Sequence, residues 1–598
     1  MKTRIPLPMQ KSQETVFYDF PQKAFLSLFS PILFLVLLFA SPVFAQDLGS
    51  LGDVKPVSLD GAITISGTKY SIAGAPARRP PTSWTIVGTP TLSFYGISLP
   101  FNFILSDQES DLRQPFDQIG VSPTYKWATL HLGYNSLNYS KYTLAGITFL
   151  GAGIDLDPEP LRLSVMYGRF QRAVEMDTST VPMNNYTYVQ PAYKRMGFAA
   201  KLGYGTQTSF IDFIYLHAAD DSSSLKLRPD SLNIFPAENT VFGINVHVVL
   251  VDWLTLESED AASFFTRDVR SPLIDSGNIP SSLRSFVTVK SSTSLLFANN
   301  VGLVFTVPHF STRLGYERIE PDYNSLGAYY FTSDMENYTI APSFDMFQNK
   351  FRASGSIGIQ HDNLLSTKIA KTNRVIGSVN MSINPAQVFG LDLNYTNYST
   401  GQSASRLQTT PPDTGQFQVR NVSQSASVTP RVLLISSEMT NSFILSVSQQ
   451  QYTDLNVTTQ AFANSLTTTG SFNYNLSLFK TGLNLGASVL YADTKQGQGS
   501  TQTTTGLRGL NFNASKSFLQ NKLSLGGSFG LTHSAITTSG GDYNTNTINE
   551  SLNSSYRLFT QGTLTLTIYA TENSSTAVGT TPFTEIIATL SYSHNFSF

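Results

Sequence analysis

Over most of its length from residue 61 to the C-terminus, the chain alternates between apolar and small polar side chains at successive positions. In FNYNLSL (472–478) the aromatic and leucine side chains occupy the even positions, and asparagine and serine occupy the odd ones. The same alternation recurs in segments 242–250, 375–384, 389–396, 482–491 and 523–531. A repeat of two residues predicts β-strands with one face in an apolar phase and the other in water. The sequence therefore predicts an all-β fold.

The composition indicates which apolar phase this is. Charged residues make up 13% of the chain and aromatic residues 12%, whereas soluble globular chains contain about 25% charged residues. The mean hydropathy is nevertheless −0.06, because serine, threonine, asparagine and glycine replace the missing charges. The net charge of −2 provides no basic surface for nucleic acid, and the absence of cysteine excludes disulfides and thiolate metal sites. We expect no cofactor and no metal site.

Short turns and long loops alternate along the second half of the chain. Turns at 478–482, 518–522 and 559–563 are spaced by about 40 residues, enough for two strands of ~9–11 spanning residues with their connections. Longer polar loops lie between them, for example at 402–416 and 493–505. This asymmetry predicts a transmembrane antiparallel up-and-down β-barrel, with short periplasmic turns and long extracellular loops.

The N-terminus has the pattern of an export signal. Lys2, Arg4, Lys11 and Lys23 precede an apolar run at 24–40, and Val43 and Ala45 supply the small residues of a cleavage site. The alternative is an uncleaved membrane anchor, which Pro31 within the run disfavours. We predict a signal peptide at 1–45, cleaved after Ala45, a periplasmic segment at 46–60 and a barrel at 61–598.

The C-terminal strand carries a resemblance to known proteins. Leu590, Tyr592, Phe596 and the terminal Phe598 share one face, and His594 interrupts this apolar series. This pattern resembles the C-terminal signature of bacterial outer-membrane β-barrels, and the whole chain resembles large Gram-negative barrels in the style of Bacteroidota. The resemblance implies an outer-membrane location, contact with membrane lipid, and recognition of these four residues by the barrel-assembly machinery.

The number of strands follows from the tight turns. Turns are predicted near residues 97, 158, 206, 252, 308, 348, 386, 437, 480, 520 and 560. Together with a first strand at 61–74 and the final strand, they give 24 strands. The alternation fails at 106–146, which could hold two more strands or a segment folded into the interior. The sequence therefore predicts 24–26 strands, a barrel too wide for its own side chains to fill.

The charged residues are concentrated in the first half of the barrel, 61–345, whereas 346–598 is regular. Arg162, Arg169 and Arg172 are candidates for selecting anions in the lumen, with solvation or salt bridging as the alternative. Arg78 and Arg79 are candidates for a rim that attracts anions, with a solvated turn as the alternative.

Three functions remain open from the sequence. The first is a porin-like transport channel with a wide aqueous lumen and a small solute. The second is a structural or interaction barrel of a secretion, motility or adhesion assembly. A receptor of the TonB-dependent type is less favoured, because strand-like alternation begins by residue 62 and leaves little room for a plug. The seven histidines are scattered singly without a catalytic motif, so we predict no enzymatic activity and no catalytic residue.

Overall fold

The computed structural model describes residues 56–107, 114–115, 117–176, 190–274, 286–329, 332–368, 370–404, 420–456 and 459–598. The predicted signal peptide and its cleavage site lie outside the described residues, as does most of the predicted loop at 402–416. The described strands form one antiparallel sheet in which each strand pairs with the next along the chain.

The first sixteen strand segments are Val57–Ala73 (β1), Thr82–Gly88 (β2), Thr91–Phe94 (β3), Ile97–Ser106 (β4), Gln118–Val121 (β5), Thr124–Tyr125 (β6), Ala128–Ser136 (β7), Thr148–Leu156 (β8), Leu161–Gln171 (β9), Lys194–Gly205 (β10), Phe210–Asp221 (β11), Glu238–Val251 (β12), Leu254–Thr266 (β13), Thr293–Val307 (β14), Phe310–Ile319 (β15) and Met335–Met346 (β16). The remaining twelve are Phe351–His361 (β17), Ala370–Ala386 (β18), Phe389–Ala404 (β19), Arg420–Ile435 (β20), Met439–Asp454 (β21), Ser465–Leu478 (β22), Leu483–Gln496 (β23), Thr503–Phe518 (β24), Leu523–Thr538 (β25), Gly541–Arg557 (β26), Gly562–Ser575 (β27) and Phe583–Ser597 (β28).

Within the described residues, helical structure is confined to single turns. One α-helical turn, α1, spans Gln460–Ala463, and two 3₁₀ turns span Asp230–Leu232 and Gly499–Thr501. In the described part of the chain, no helix has the length and apolar character needed to cross a membrane.

The sheet closes on itself, because the last strand pairs with the first. β28 runs antiparallel to β1 from Asp60 opposite Ser597 to Ala73 opposite Thr584. Closure leaves no unpaired sheet edge. β1 begins at Val57, so the last residues of the predicted periplasmic segment, 57–60, belong to the barrel wall.

Two barrel strands are each built from two segments. β2 and β3 both pair with β1 and with β4, and the break between them falls at Thr89 and Pro90. β5 and β6 likewise form one strand broken at Ser122 and Pro123. Proline lacks the N–H that a sheet ladder requires, so both breaks follow from sequence. The 28 segments therefore make a closed barrel of 26 strands, which confirms the predicted fold at the upper limit of its predicted size.

The two ends of the barrel differ. One end, called the turn end, holds the start of β1, the end of β28 and connections of two to four residues. The other, called the loop end, holds connections from six residues (497–502) to 26 residues (267–292), with a single two-residue exception at 539–540. Every predicted turn lies within one residue of an observed turn. An additional turn at Lys126–Trp127 accounts for the two strands beyond 24.

Two of the tight turns share one backbone conformation. Residues 347–349 have φ values of 54°, 58° and 66°, and residues 519–521 have φ values of 52°, 54° and 66°. Both segments end in Gln-Asn and are followed by lysine. Asparagine tolerates this left-handed region better than most residues, which favours it at the last of the three positions.

The two faces of the wall have different chemistry. In one cross-strand row of β22, β23 and β24, one face presents Phe472, Val489 and Leu510. The adjacent row presents on the opposite face Asn473, Ser488 and Asn511. The polar face is the inner face of the barrel. On strands β9–β15 two connections from the loop end fold against this same face of the sheet.

Candidate functional site: two segments folded into the barrel

The first inward segment is residues 137–147, which join β7 to β8. It crosses the inner face of several consecutive strands: the Tyr139 hydroxyl lies 2.5 Å from Ser164 Oγ on β9, and Asn245 Nδ2 of β12 donates to the Tyr139 carbonyl at 3.1 Å. Tyr142 and Thr143 are completely buried. The uncertain stretch 106–146 therefore contains both of the predicted alternatives, two barrel strands and an inward-folded segment.

Small residues on the inner face make room for this segment. A β-carbon placed on Gly243 would lie 2.5 Å from Thr143 Cγ2, so only glycine allows this approach. Ala261 and Ala298 on the neighbouring strands are also buried in the cluster beneath it. On β22 and β24 the inner face carries larger polar residues such as Asn473 and Asn511. Glycine and alanine on the polar face of the charged half are thus a sequence signal that would have favoured the inward-folded segment.

The second inward segment, residues 320–329 between β15 and β16, binds the first. The Ala145 N–H donates to the Gly327 carbonyl at 2.9 Å. Ser325 Oγ donates to the Thr143 carbonyl at 2.6 Å, and the Tyr323 hydroxyl donates to the Tyr142 carbonyl at 2.7 Å. Buried backbone groups need such partners, because an unpaired buried carbonyl is costly. The two segments therefore form one unit.

A fully buried amide ties the second segment to the wall. Asn239 Oδ1 on β12 accepts from the Leu326 N–H at 3.0 Å. Its Nδ2 donates to Ser263 Oγ at 2.7 Å and to the Phe264 carbonyl at 3.1 Å. Ser263 Oγ in turn donates to the Asn324 carbonyl at 2.7 Å. Because every polar atom of this side chain has a partner, Asn239 fixes the segment in one position.

The charged groups at the inward segments compensate one another. Glu317 on β15 accepts from Lys141 Nζ and, at 2.6 Å, from the Tyr142 hydroxyl. Glu259 on β13 accepts from the Lys141 N–H at 2.6 Å. Burial raises the pKa of Tyr142, and its hydrogen bond to Glu317 raises it further; burial also raises the pKa of Tyr323. Both hydroxyls consequently remain protonated donors well above pH 10.0, the ordinary tyrosine pKa.

The inward segments close against each other so tightly that one methyl group should separate them. A β-carbon on Gly327 would lie 2.8 Å from the Thr143 carbonyl oxygen and closer still to a Leu216 methyl. We expect Gly327→Ala to lower the free energy of opening this contact by about 1–3 kcal/mol. The Ala145 amide should then exchange its hydrogen roughly 5- to 150-fold faster. Exchange measured by mass spectrometry tests this. Gly470→Ala is the matched control, because its β-carbon would meet nothing within 4 Å. Unchanged exchange in Gly327→Ala would contradict the packing.

Arg162 lies on the inner face of β9, but its charge is paired. Nε donates to Asp212 Oδ1 at 2.9 Å and Nη2 donates to Oδ2 at 3.1 Å. Asp212 lies on β11, and the pair crosses β10 at Gly203, where any side chain would overlap the carboxylate. The guanidinium carbon lies 4.1 Å from the ring centre of Phe210. This geometry favours salt bridging over anion selection for Arg162.

The other candidate arginines do not join Arg162. Arg169 pairs across the sheet with Leu150 and Met196 on the outer face, and its Nη2 donates to the Tyr134 hydroxyl at 3.0 Å. Arg172 directly follows β9 at the loop end. The placement of Arg169 gives no support to a role in the lumen.

The predicted rim arginines lie in the exposed loop 74–81 between β1 and β2. The guanidinium carbon of Arg78 lies 5.0 Å from the ring centre of Phe583. Arg79 is exposed beside it. Both residues are therefore at the loop end, as a rim requires.

The C-terminal residues lie at the seam of the barrel. Leu590 and Tyr592 pair on the outer face with residues of β27 and β1. The Leu59 N–H donates to the Phe598 carbonyl at 3.0 Å, and His594 Nδ1 lies 3.0 Å from the Tyr592 hydroxyl. Phe596 stands next to the ring of His594, with ring centres 4.8 Å apart. His594 thus shares the outer face with the apolar series.

The inner face of β22–β27 contrasts with the side that holds the inward segments. Its side chains are mainly hydroxyls and amides, with contacts such as Thr467 to Thr494 at 3.0 Å and Ser528 to Ser551 at 2.7 Å. In these strands the inner face presents Arg557 as its charged residue, next to the turn end. No group of three potential metal ligands is present among the described residues.

Comparison with known proteins gives weak likenesses. No family model matches the chain, and no curated protein matches it. Similar solved structures include OccAB2 of Acinetobacter baumannii, 9% identical over 64% of this chain and 96% of that chain, with a TM-score of 0.28. OpdK of Pseudomonas aeruginosa, solved with vanillate, is 10% identical over 90% and 98%, with a TM-score of 0.27. BauA, the ferric preacinetobactin receptor of Acinetobacter baumannii, is 10% identical over 90% and 80%, with a TM-score of 0.36.

Proposed function

We propose that this protein is an outer-membrane channel that lets hydrophilic solutes cross passively along an inner wall of mainly hydroxyl and amide side chains. The main support for this proposal is the closed wall, which has an apolar outer face and, on β22–β27, an inner face of mainly hydroxyl and amide side chains. The outer face of such a wall is compatible with lipid, and its inner face is compatible with water. The inward segments occupy the β9–β15 side, and solute passes along the opposite wall.

The outer face supports the membrane location. On β15, β16 and β17 an apolar row formed by Leu314, Ile340 and Ile357 is followed toward the loop end by a charged row formed by Arg318, Glu336 and His361. Arg318 is nine residues beyond the turn at 308–309. At ~3.3 Å per residue and a tilt of ~40°, this distance is roughly 23 Å, close to the height of the apolar band of a membrane barrel.

The two ends and the termini support the orientation and the route. Short turns face the periplasm and long loops face outward in bacterial barrels. Export begins with the signal peptide, which is cleaved after Ala45. The barrel-assembly machinery then recognises the last strand through Leu590, Tyr592, Phe596 and Phe598.

The channel should conduct with little preference for ion charge. Arg162 is neutralised by Asp212, and Lys141 by Glu317, while the β22–β27 wall offers hydroxyls and amides. We expect full-length protein in planar bilayers to give stepwise currents, with a reversal potential close to zero in a potassium chloride gradient. A strongly shifted reversal potential would disprove the uncharged pathway. Absence of current at any voltage would discard the channel and leave the interaction barrel.

A further inference from the structure

The turn end of β22–β27 forms a continuous edge of three turns. The Ser517 N–H donates to the Gly482 carbonyl at 3.3 Å, which joins the turn at 479–482 to the end of β24. The Arg557 N–H donates to the Lys522 carbonyl at 2.7 Å, which joins the turn at 519–522 to the end of β26. These bonds fix the side chains of neighbouring turns relative to each other.

This edge is basic and has no acidic residue. It carries Lys480, Lys516, Lys522 and Arg557, and segments 479–482, 516–522 and 557–561 contain neither aspartate nor glutamate. The turns of the β8–β13 side at the same end have the opposite character, because segments 157–160 and 252–253 contain aspartate and glutamate and no lysine or arginine. The turn end is therefore polarised in charge.

Each of the three turns also exposes a large apolar side chain. Phe479, Leu519 and Phe559 are 55%, 62% and 64% exposed. Lys516 lies on the outer face, opposite Leu483 and Leu525, and its Nζ lies 5.1 Å from the ring centre of Phe518. Apolar side chains next to lysine are the arrangement that places an ammonium group at lipid phosphates while its stem and neighbours contact acyl chains.

We infer that this basic edge, defined as Lys480, Lys516 and Lys522 with Phe479, Leu519 and Phe559, binds the phosphate headgroups of anionic phospholipids. The inference rests on the proposed membrane location. The occupant is a lipid rather than free phosphate or a protein, because the cations alternate with exposed apolar groups along one level of the wall. A fixed cluster of cations near a membrane surface attracts anionic lipid in proportion to their number.

Native mass spectrometry of the full-length protein in detergent, titrated with phosphatidylglycerol, tests the inference. The variant K480Q/K516Q/K522Q should bind this lipid about a hundredfold more weakly, since each cation near a lipid surface contributes roughly fivefold. The matched control is K69Q/K495Q/R508Q, which removes the same charge from the loop-end half of the outer face and should leave binding unchanged. The variant K480R/K516R/K522R should retain binding, which separates loss of charge from misfolding.

Four results would overturn the inference: equal loss in the loop-end control, equal binding of phosphatidylcholine, displacement of the lipid by millimolar inorganic phosphate, or undiminished binding in the glutamine variant. The channel is tested separately. A preserved current without preferential binding of phosphatidylglycerol would disprove the lipid site alone. Lipid binding without any current would disprove the channel alone.

Discussion

Arg162→Ala is expected to destabilise the barrel by about 3–5 kcal/mol, because it leaves a buried carboxylate without its partner. Asp212 is 2% exposed and the Arg162 side chain 11%. Without the guanidinium, the Asp212 carboxylate is left without its partner in a poorly solvated site. Urea unfolding of the protein reconstituted in phospholipid vesicles measures the loss.

The double variant Arg162→Ala/Asp212→Ala distinguishes the ion pair from simple loss of side-chain volume. Removing both charges should recover most of the stability lost in Arg162→Ala, giving a coupling free energy of about 1.5–3 kcal/mol. Its reversal potential should equal that of the unaltered protein, since the pair has no net charge. Additive losses would show that the pair does not couple, and a shifted reversal potential would restore Arg162 as a selectivity residue.

Val489→Arg should lower barrel stability by about 2–4 kcal/mol, whereas Ser488→Arg should be tolerated. Val489 lies on the outer face between Phe472 and Leu510, and Ser488 lies on the inner face between Asn473 and Asn511. A guanidinium at Val489 would stand in the hydrocarbon, while one at Ser488 would stand in water. Folding yield in vesicles and the urea midpoint measure the difference.

Depth in the membrane provides a second control for this pair. Leu525 is on the same outer face but lies three residues beyond the turn at 519–522, opposite Lys516. Near the interface the cost of arginine falls to about 0–1 kcal/mol, so Leu525→Arg should be milder than Val489→Arg. Tolerance at Val489 together with a loss of stability at Ser488 would mean that the two faces are exchanged, as a one-residue slip of register requires. Equal tolerance at both positions would contradict the assignment of Val489 to the lipid face.

Much of the wall follows from local sequence. Alternation fixes which face each residue of β22–β25 occupies, and the recurrent turns fix where strands meet, because both are properties of short segments. The strand number was less certain for a local reason: Pro90 and Pro123 interrupt barrel strands, and the turn at Lys126–Trp127 has no glycine or asparagine to indicate it.

The interior was harder to predict, because its contacts join distant parts of the chain. Arg162 lies on the inner face, yet its neutralisation depends on Asp212 and on Gly203 between them, each on a different strand. No feature of the sequence around Arg162 indicates that Asp212 or Gly203 lies beside it. The inward segments pose the same difficulty, since Thr143 packs on Gly243 and bonds to Ser325.

The bonds between the inward segments have a consequence for the order of assembly. Thr143 and Ser325 are separated by 182 positions in sequence, and they meet across strands that must already be aligned. Contacts of such high sequence separation form late, because the entropy of closing the intervening chain comes first. We therefore expect the nascent barrel to pass through a stage in which its wall is complete from β8 to β15 but its bore is still wide. Narrowing of the bore then follows the alignment of these strands, and a protein arrested before it would leak.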